Sequence, residues 1–216
     1  MISKKLIGSL MLFGPLLAIA TIIIEPGGTS EAPFTEVVQT MSDNYVLATI
    51  SLIGWAAAIL AIFIGIHYLA RSMQGEEKPG SDLAGLASVF ALLVAGVAMV
   101  SLSIELTVGE RESSWIDQGG DVVNATALSA AISRSIFVFN GVVILFLGLA
   151  IVRQKNLNQI VGGLFALFGA CILLGGMFSV GDNLGGMIWF IGFLGFPITT
   201  AATGFLILRS AGKDAT

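Results

Sequence analysis

Six long apolar stretches run through the chain, roughly Leu6–Ile24, Tyr45–Ala70, Leu83–Val108, Ser135–Val152, Leu157–Val180 and Met187–Leu208. A helix needs about 20 apolar residues to cross the hydrocarbon core of a bilayer, and each stretch reaches or approaches that length. The fourth is the shortest, and its helix is expected to begin earlier, in Val122–Ser133. The runs are continuous and lack the period-two alternation of barrel strands. The expected fold class is therefore all-α, a polytopic transmembrane helical bundle of six spans. One membrane domain then accounts for residues 1–216.

Composition supports a bilayer as the solvent. Of 216 residues, 56% are hydrophobic and 11% charged, against roughly 25% charged in an average soluble domain. A water-soluble fold of this length cannot hide so much apolar surface. The 27 glycines agree, since Gly is commoner in membrane helices than in soluble ones. The lone Cys171 excludes an intrachain disulfide, and the lone His67 excludes bis-histidine haem and multi-histidine metal sites. No cofactor or metal is expected. A net charge of -4 with no basic run gives no sign of nucleic-acid binding.

The basic residues fix an expected orientation. Lys4 and Lys5 precede span 1, Arg71 and Lys78 follow span 2, Arg153 and Lys155 follow span 4, and Arg209 and Lys213 follow span 6. Threaded in order, these lie on one side, and only Arg111 and Arg134 fall on the other. The positive-inside rule places both termini in the cytoplasm. A competing reading takes Lys4-Lys5, the apolar run and Ala18-Ile19-Ala20 as a signal peptide cleaved after Ala20, which leaves five spans. The apolar run continuing through Ile24 suits an anchor better.

Between the spans, Glu25-Pro26-Gly27-Gly28 ends the first helix. Phe34, Val37, Val38 and Met41 stand at helical spacing and suggest a short interfacial helix over Pro33–Met41, with Asp43 as N-cap of span 2. Ser72–Ser81 reads as a solvated connector. The Gly181–Gly186 turn makes spans 5 and 6 antiparallel neighbours. Trp115 is a candidate interface anchor, and Asn124-Ala125-Thr126 is a glycosylation sequon. Spans 3 and 5 share Ala/Gly/Leu-rich segments and spans 2, 4 and 6 share basic ends. Three repeated hairpins would produce that pattern, and so would composition alone.

Few side chains carry chemistry. Glu105 is the one acid within an apolar stretch, on a helix face with Ala84, Ser88, Ala91, Ala95, Ala98 and Ser101. An intramembrane acid is a functional candidate. Counting from Leu83, however, about 20 residues already cross the core, so Glu105 falls about 4–5 Å beyond it. An interfacial Glu105 paired with Arg134 is the plainer expectation. Asn140 lies within span 4 and needs a partner there, expected to be an interhelical hydrogen bond. Together Glu105, Arg134 and Asn140 form a candidate polar cluster. His67 beside Tyr68 reads as an interfacial pair. Pro15 and Pro197 are expected to kink spans 1 and 6, with Thr199, Thr200 and Thr203 available to satisfy freed backbone groups. Transporter-like broken helices occur at matching positions in two halves, and these prolines do not match. Gly162, Gly169 and Gly176, with Ala166 between, form a helix-packing face.

The spans hold no acid pair, Ser/His pair or Lys, so catalysis is not expected. The basic start, the long first external loop, the ends at Arg71, Arg153 and Arg209 and the Gly181–Gly186 hairpin together resemble small six-span prokaryotic membrane families of the domain-of-unknown-function type. That resemblance implies a helical bundle with no assigned activity. Two functional readings remain. In one, a non-catalytic protein packs with lipid, with copies of itself or with subunits of a membrane complex. In the other, a small-solute or ion transporter or channel has an external vestibule near Glu105 and Arg134.

Overall fold

A computed structural model of the chain describes residues 2–26, 32–109, 120–155, 157–178 and 183–213. Within them lie seven helices: α1 (Lys4–Ile24), α2 (Phe34–Asp43), α3 (Tyr45–Ser72), α4 (Ser81–Gly109), α5 (Val122–Gln154), α6 (Gln159–Phe178) and α7 (Asn183–Lys213). No strand occurs among the described residues. All but α2 are long and apolar enough to cross a membrane. The fourth span does extend back to Val122, where Asp121 caps it by accepting from the Asn124 amide at 3.0 Å. Ser3 caps α1 in the same manner, accepting from Leu6 N at 3.2 Å. Each cap satisfies a helix-terminal N–H that lacks an intrahelical partner.

The long helices run up and down and close into a ring. Each packs on its neighbours in sequence, and α7 returns to pack on α1. Glycines make these approaches close enough to fix the pairing. A Cβ on Gly8 would stand 2.8 Å from Leu208 Cγ, and one on Gly65 would stand 2.7 Å from Met11 Cγ. Between α5 and α6 the contact is backbone to backbone. A Cβ on Gly141 would lie 2.6 Å from Leu173 N, and one on Gly148 would meet the Ala166 backbone. The expected face of Gly162, Gly169 and Gly176 is what α6 turns to α5, meeting Ile151, Leu145 and Val138. Gly175 and Gly192 close the α6–α7 seam on Trp189 and Ile172, so these two helices are antiparallel neighbours. Lipid is as apolar as leucine, so such seams are held by close van der Waals packing and not by expulsion of water.

Met11, Phe63, Ile66, Ile144, Leu147, Ile151, Phe165 and Ile172 are fully buried in the middle of the ring. The outer surface is equally apolar: Ile23 is 77% exposed, Val46 69% and Ile198 66%. A protein with apolar groups both inside and outside needs a hydrocarbon solvent. The up-and-down order gathers Lys4, Lys5, Arg71, Arg153 and Arg209 at one end, here called the basic end. Glu25, Glu36, Asp43 and Glu105 stand at the other, acidic end.

α2 lies across the acidic end, against α3, α4 and α5. Met41 is buried with Ala48, Leu52 and Leu102, and Val37 packs on them, while Phe34 stays exposed. Asp43 does not cap α3. It is the last residue of α2 and accepts from Gln39 Nε2 at 3.0 Å, and the junction residue is Asn44. At the basic end the connector between α3 and α4 is folded by Gly75 N donating to Ser81 Oγ and Lys78 Nζ donating to the Ser72 carbonyl. Gly80 there has φ +78° and lies against the Ala150 backbone, a conformation and an approach that favour a residue without Cβ.

Candidate functional site

Most buried hydroxyls in the ring serve their own helix. Thr21 donates to the Ala18 carbonyl, Ser51 to Ala48, Thr199 to Gly195, Thr200 to Phe196 and Thr203 to Thr199. Such back-bonding satisfies a hydroxyl in hydrocarbon without a second helix. The α7 threonines thus serve carbonyls beside Pro197, those of Gly195, Phe196 and Thr199, and leave the Phe193 carbonyl unreached. Pro15 and Pro197 both sit inside continuous helices.

Among the described residues, side chains of different spans hydrogen-bond to one another in two groups. One joins α3 to α4, where His67 Nδ1 lies 2.9 Å from Ser88 Oγ and 3.1 Å from the Ser88 carbonyl, a Ser/His pair that the spans were expected to lack. The His67 ring also stands edge-on to Tyr68, with centroids 4.8 Å apart. The other joins α4 to α5 near the acidic end. Ser129 Oγ donates to Glu105 Oε1 at 2.6 Å, Ser101 Oγ lies 2.6 Å from Ser129 Oγ, and Ser133 Oγ lies 2.9 Å from Ser101 Oγ. Each hydroxyl has one proton to give. With Ser129 donating to the carboxylate, the arrangement that serves every oxygen runs from Ser133 to Ser101 to Ser129 to Glu105. Ser101 and Ser129 are buried, whereas Glu105 is half-buried.

Glu105 is therefore held by the Ser129 hydroxyl and not by a cation. No ion pair joins it to Arg134, which is exposed, so the expected pairing does not form. A second carboxyl approaches instead. Glu25 caps α1 at the acidic end. The residue is exposed overall, yet crowding withdraws its carboxyl from water, and this together with the Glu105 charge raises its pKa above the ordinary value of 4.5.

Asn140 departs from expectation in another way. It sits eleven residues beyond Ser129 on α5, about 16 Å along the axis, so it is not part of the Glu105 hydroxyl cluster. It is 7% exposed, and its Oδ1 has no hydrogen-bond partner. The interhelical bond expected of it is not made. An unmet buried carbonyl of this kind costs about 1–3 kcal/mol.

Of the three expected cluster members, then, Glu105 is the terminal acceptor of a chain of hydroxyls, Arg134 stands apart and Asn140 lies deeper. Ser129 and Ser133 were not anticipated. The available signal was spacing, because Ser101/Glu105 and Ser129/Ser133 are both i, i+4 pairs on consecutive spans. Trp115 falls outside the described residues. Asn124 of the sequon lies in the first turn of α5, with Nδ2 donating to Asp121 Oδ2 at 2.6 Å, and Thr126 is buried.

Chemically, the cluster offers a carboxylate backed by hydroxyl oxygens, a set suited to holding a proton or a hard cation. Among the described residues no group of three or more His, Cys, Asp or Glu could hold a metal ion. No protein-family model, no curated protein and no solved structure matches this chain.

Proposed function

We propose that this chain is a non-catalytic integral protein of the cell membrane, with both termini cytoplasmic, acting through its packing with lipid, with copies of itself or with partner subunits. The observation that carries this reading is the closure of the bundle. Gly141, Gly148, Gly169, Gly175 and Gly192 bring α5, α6 and α7 together at backbone distance, and the fully buried centre is filled by Phe, Met, Ile and Leu. The collection of Lys4, Lys5, Arg71, Arg153 and Arg209 at one end supports the orientation.

The Glu105–Ser129–Ser101–Ser133 cluster favours the second reading, passage of a small solute or ion through a vestibule at the acidic end. Against it, Ile144, Leu147 and Ile151 follow Asn140 on α5 and are fully buried. Reconstitution into sealed liposomes separates the two. Under the packing reading, sodium, potassium and proton fluxes equal those of protein-free liposomes for both the wild-type chain and Glu105→Gln. Saturable flux that Glu105→Gln abolishes would establish the second reading and overturn the first.

A further inference from the structure

We infer that the outer α1–α3 seam, at the basic end, is a site for one phospholipid with an anionic headgroup. Its phosphate sits between Lys5 and Arg71, and one acyl chain lies in a groove beside Phe13. That groove has a volume of about 510 Å³, and its walls include Leu10, Phe13 and Leu17 of α1 and Ala61 of α3. Small residues on the seam create it. A Cβ on Gly14 would stand 2.9 Å from Ile62 Cγ1 and 3.2 Å from Ala61 Cβ, so the helices touch closely there. Phe13 next to this contact projects outward and is 61% exposed. A close contact beside a projecting ring leaves a furrow that opens on the surrounding lipid.

The register of the two helices places a pair of cations above the furrow. Met11 lies opposite Gly65 and Gly14 opposite Ile62. Six residues further toward the basic end, about 9 Å along the axis, Lys5 comes level with Arg71. Lys5, Ser9, Phe13 and Leu17 follow one another four apart on α1, and Ala61, Ile64, Tyr68 and Arg71 follow at spacings of three and four on α3. Lys5 and Arg71 are both exposed, and neither α1 nor α3 contains an acidic residue.

Length and charge select the occupant. From Lys5 to Leu17 is about 18 Å along α1, close to the distance from the headgroup region to the middle of a bilayer. The groove thus spans one leaflet, which suits one lipid chain. A partner helix would need a seam about 30 Å long, but nearer the acidic end Ile24 and Ile50 stand exposed and the groove does not pass Leu17. The walls are apolar, as an acyl chain requires. Above them an ammonium and a guanidinium suit a phosphate, the second by presenting paired donors. Basic pockets between helix ends recognise anionic headgroups on this principle. The inference rests on the packing reading and names the lipid and its place.

Photo-crosslinking tests the site. The full chain is placed in phosphatidylcholine nanodiscs carrying a trace of phosphatidylglycerol with a diazirine midway along one acyl chain. Labelled residues are mapped by mass spectrometry. Labels should concentrate at Leu10–Leu17 and around Ala61. Unlabelled phosphatidylglycerol should compete for them, and added phosphatidylcholine should not. Lys5→Gln combined with Arg71→Gln should lower groove labelling on the order of tenfold. Arg153→Gln, which removes one charge from the same end on α5, should leave it unchanged.

Labels spread evenly over all lipid-facing helices would overturn the site. Groove labelling that ignores the Lys5→Gln and Arg71→Gln pair, or that phosphatidylcholine competes equally, would overturn the headgroup preference. Absence of groove labels together with a disulfide-linked dimer of Phe13→Cys in a Cys171→Ala background would give the groove to a second copy and overturn the lipid. Saturable ion flux would end the packing reading without moving these labels, so the two failures are distinct.

Discussion

Two carboxyl groups at the acidic end, Glu25 and Glu105, show how single residues are held in check by their surroundings. Glu105 is satisfied by Ser129, while Glu25 is crowded and faces Glu105. Because the Glu25 pKa is raised in the folded chain, the folded state prefers the protonated form. Below the ordinary value of 4.5 both folded and unfolded chains are protonated and no cost arises. As pH climbs above that value the unfolded chain ionises first, and the cost grows until the folded carboxyl ionises as well. Glu25→Gln is expected to raise the melting temperature near neutral pH, by a small amount because the residue is exposed. The gain should vanish well below pH 4.5, and an equal gain at both pH values would show that ionisation is not its source. Neither the Glu25–Glu105 proximity nor the orphaned Asn140 oxygen was legible in the sequence, because both depend on how non-adjacent helices are rotated. Arg134 was misplaced for a related reason. Its position along α5 suits Glu105, but its direction from the helix axis does not.

At the scale of elements, glycines do different work according to what faces them. Gly148 on α5 abuts the Ala166 backbone of α6, whereas a Cβ on Gly163 of α6 would meet nothing within 4 Å. Gly148→Leu must therefore push two backbones apart, and overpacking of this type costs about 1–3 kcal/mol or more. Gly163→Ala meets open space in a helix interior and should stabilise by about 0.5–1 kcal/mol. Chemical denaturation in mixed micelles checks both, and equal effects of the two substitutions would contradict the assigned seam. The heptad of Gly162, Gly169 and Gly176 was legible because a seven-residue repeat returns to one helix face. The six spans were legible because bilayer thickness sets their minimum length. The start of α3 at Tyr45 was legible too, but its cap was not, because Asp43 and Asn44 are both good N-cap residues and only the docking of α2 decides between them.

At the scale of the molecule, the sequence order of the spans carries over directly into space, and the contact between α1 and α7 closes the ring. Hairpin neighbours follow from short connections, but nothing in the local sequence of α1 or α7 announces that they meet. Gly8 and Gly204 permit it by letting the two backbones approach, with a Cβ on Gly204 standing 2.5 Å from Leu12 N. This closure is what allows a single buried centre to be shared by all six spans and makes a sealed bundle physically possible. It is tested most directly by disulfide formation between Gly8→Cys and Leu208→Cys in a Cys171→Ala background, since Leu208→Cys removes the branched group that a Cβ at Gly8 would meet. Mild oxidation in membranes should give a rapid intrachain link between the first and last helices. Fully reduced chains, or links formed only between separate chains, would contradict the closed ring.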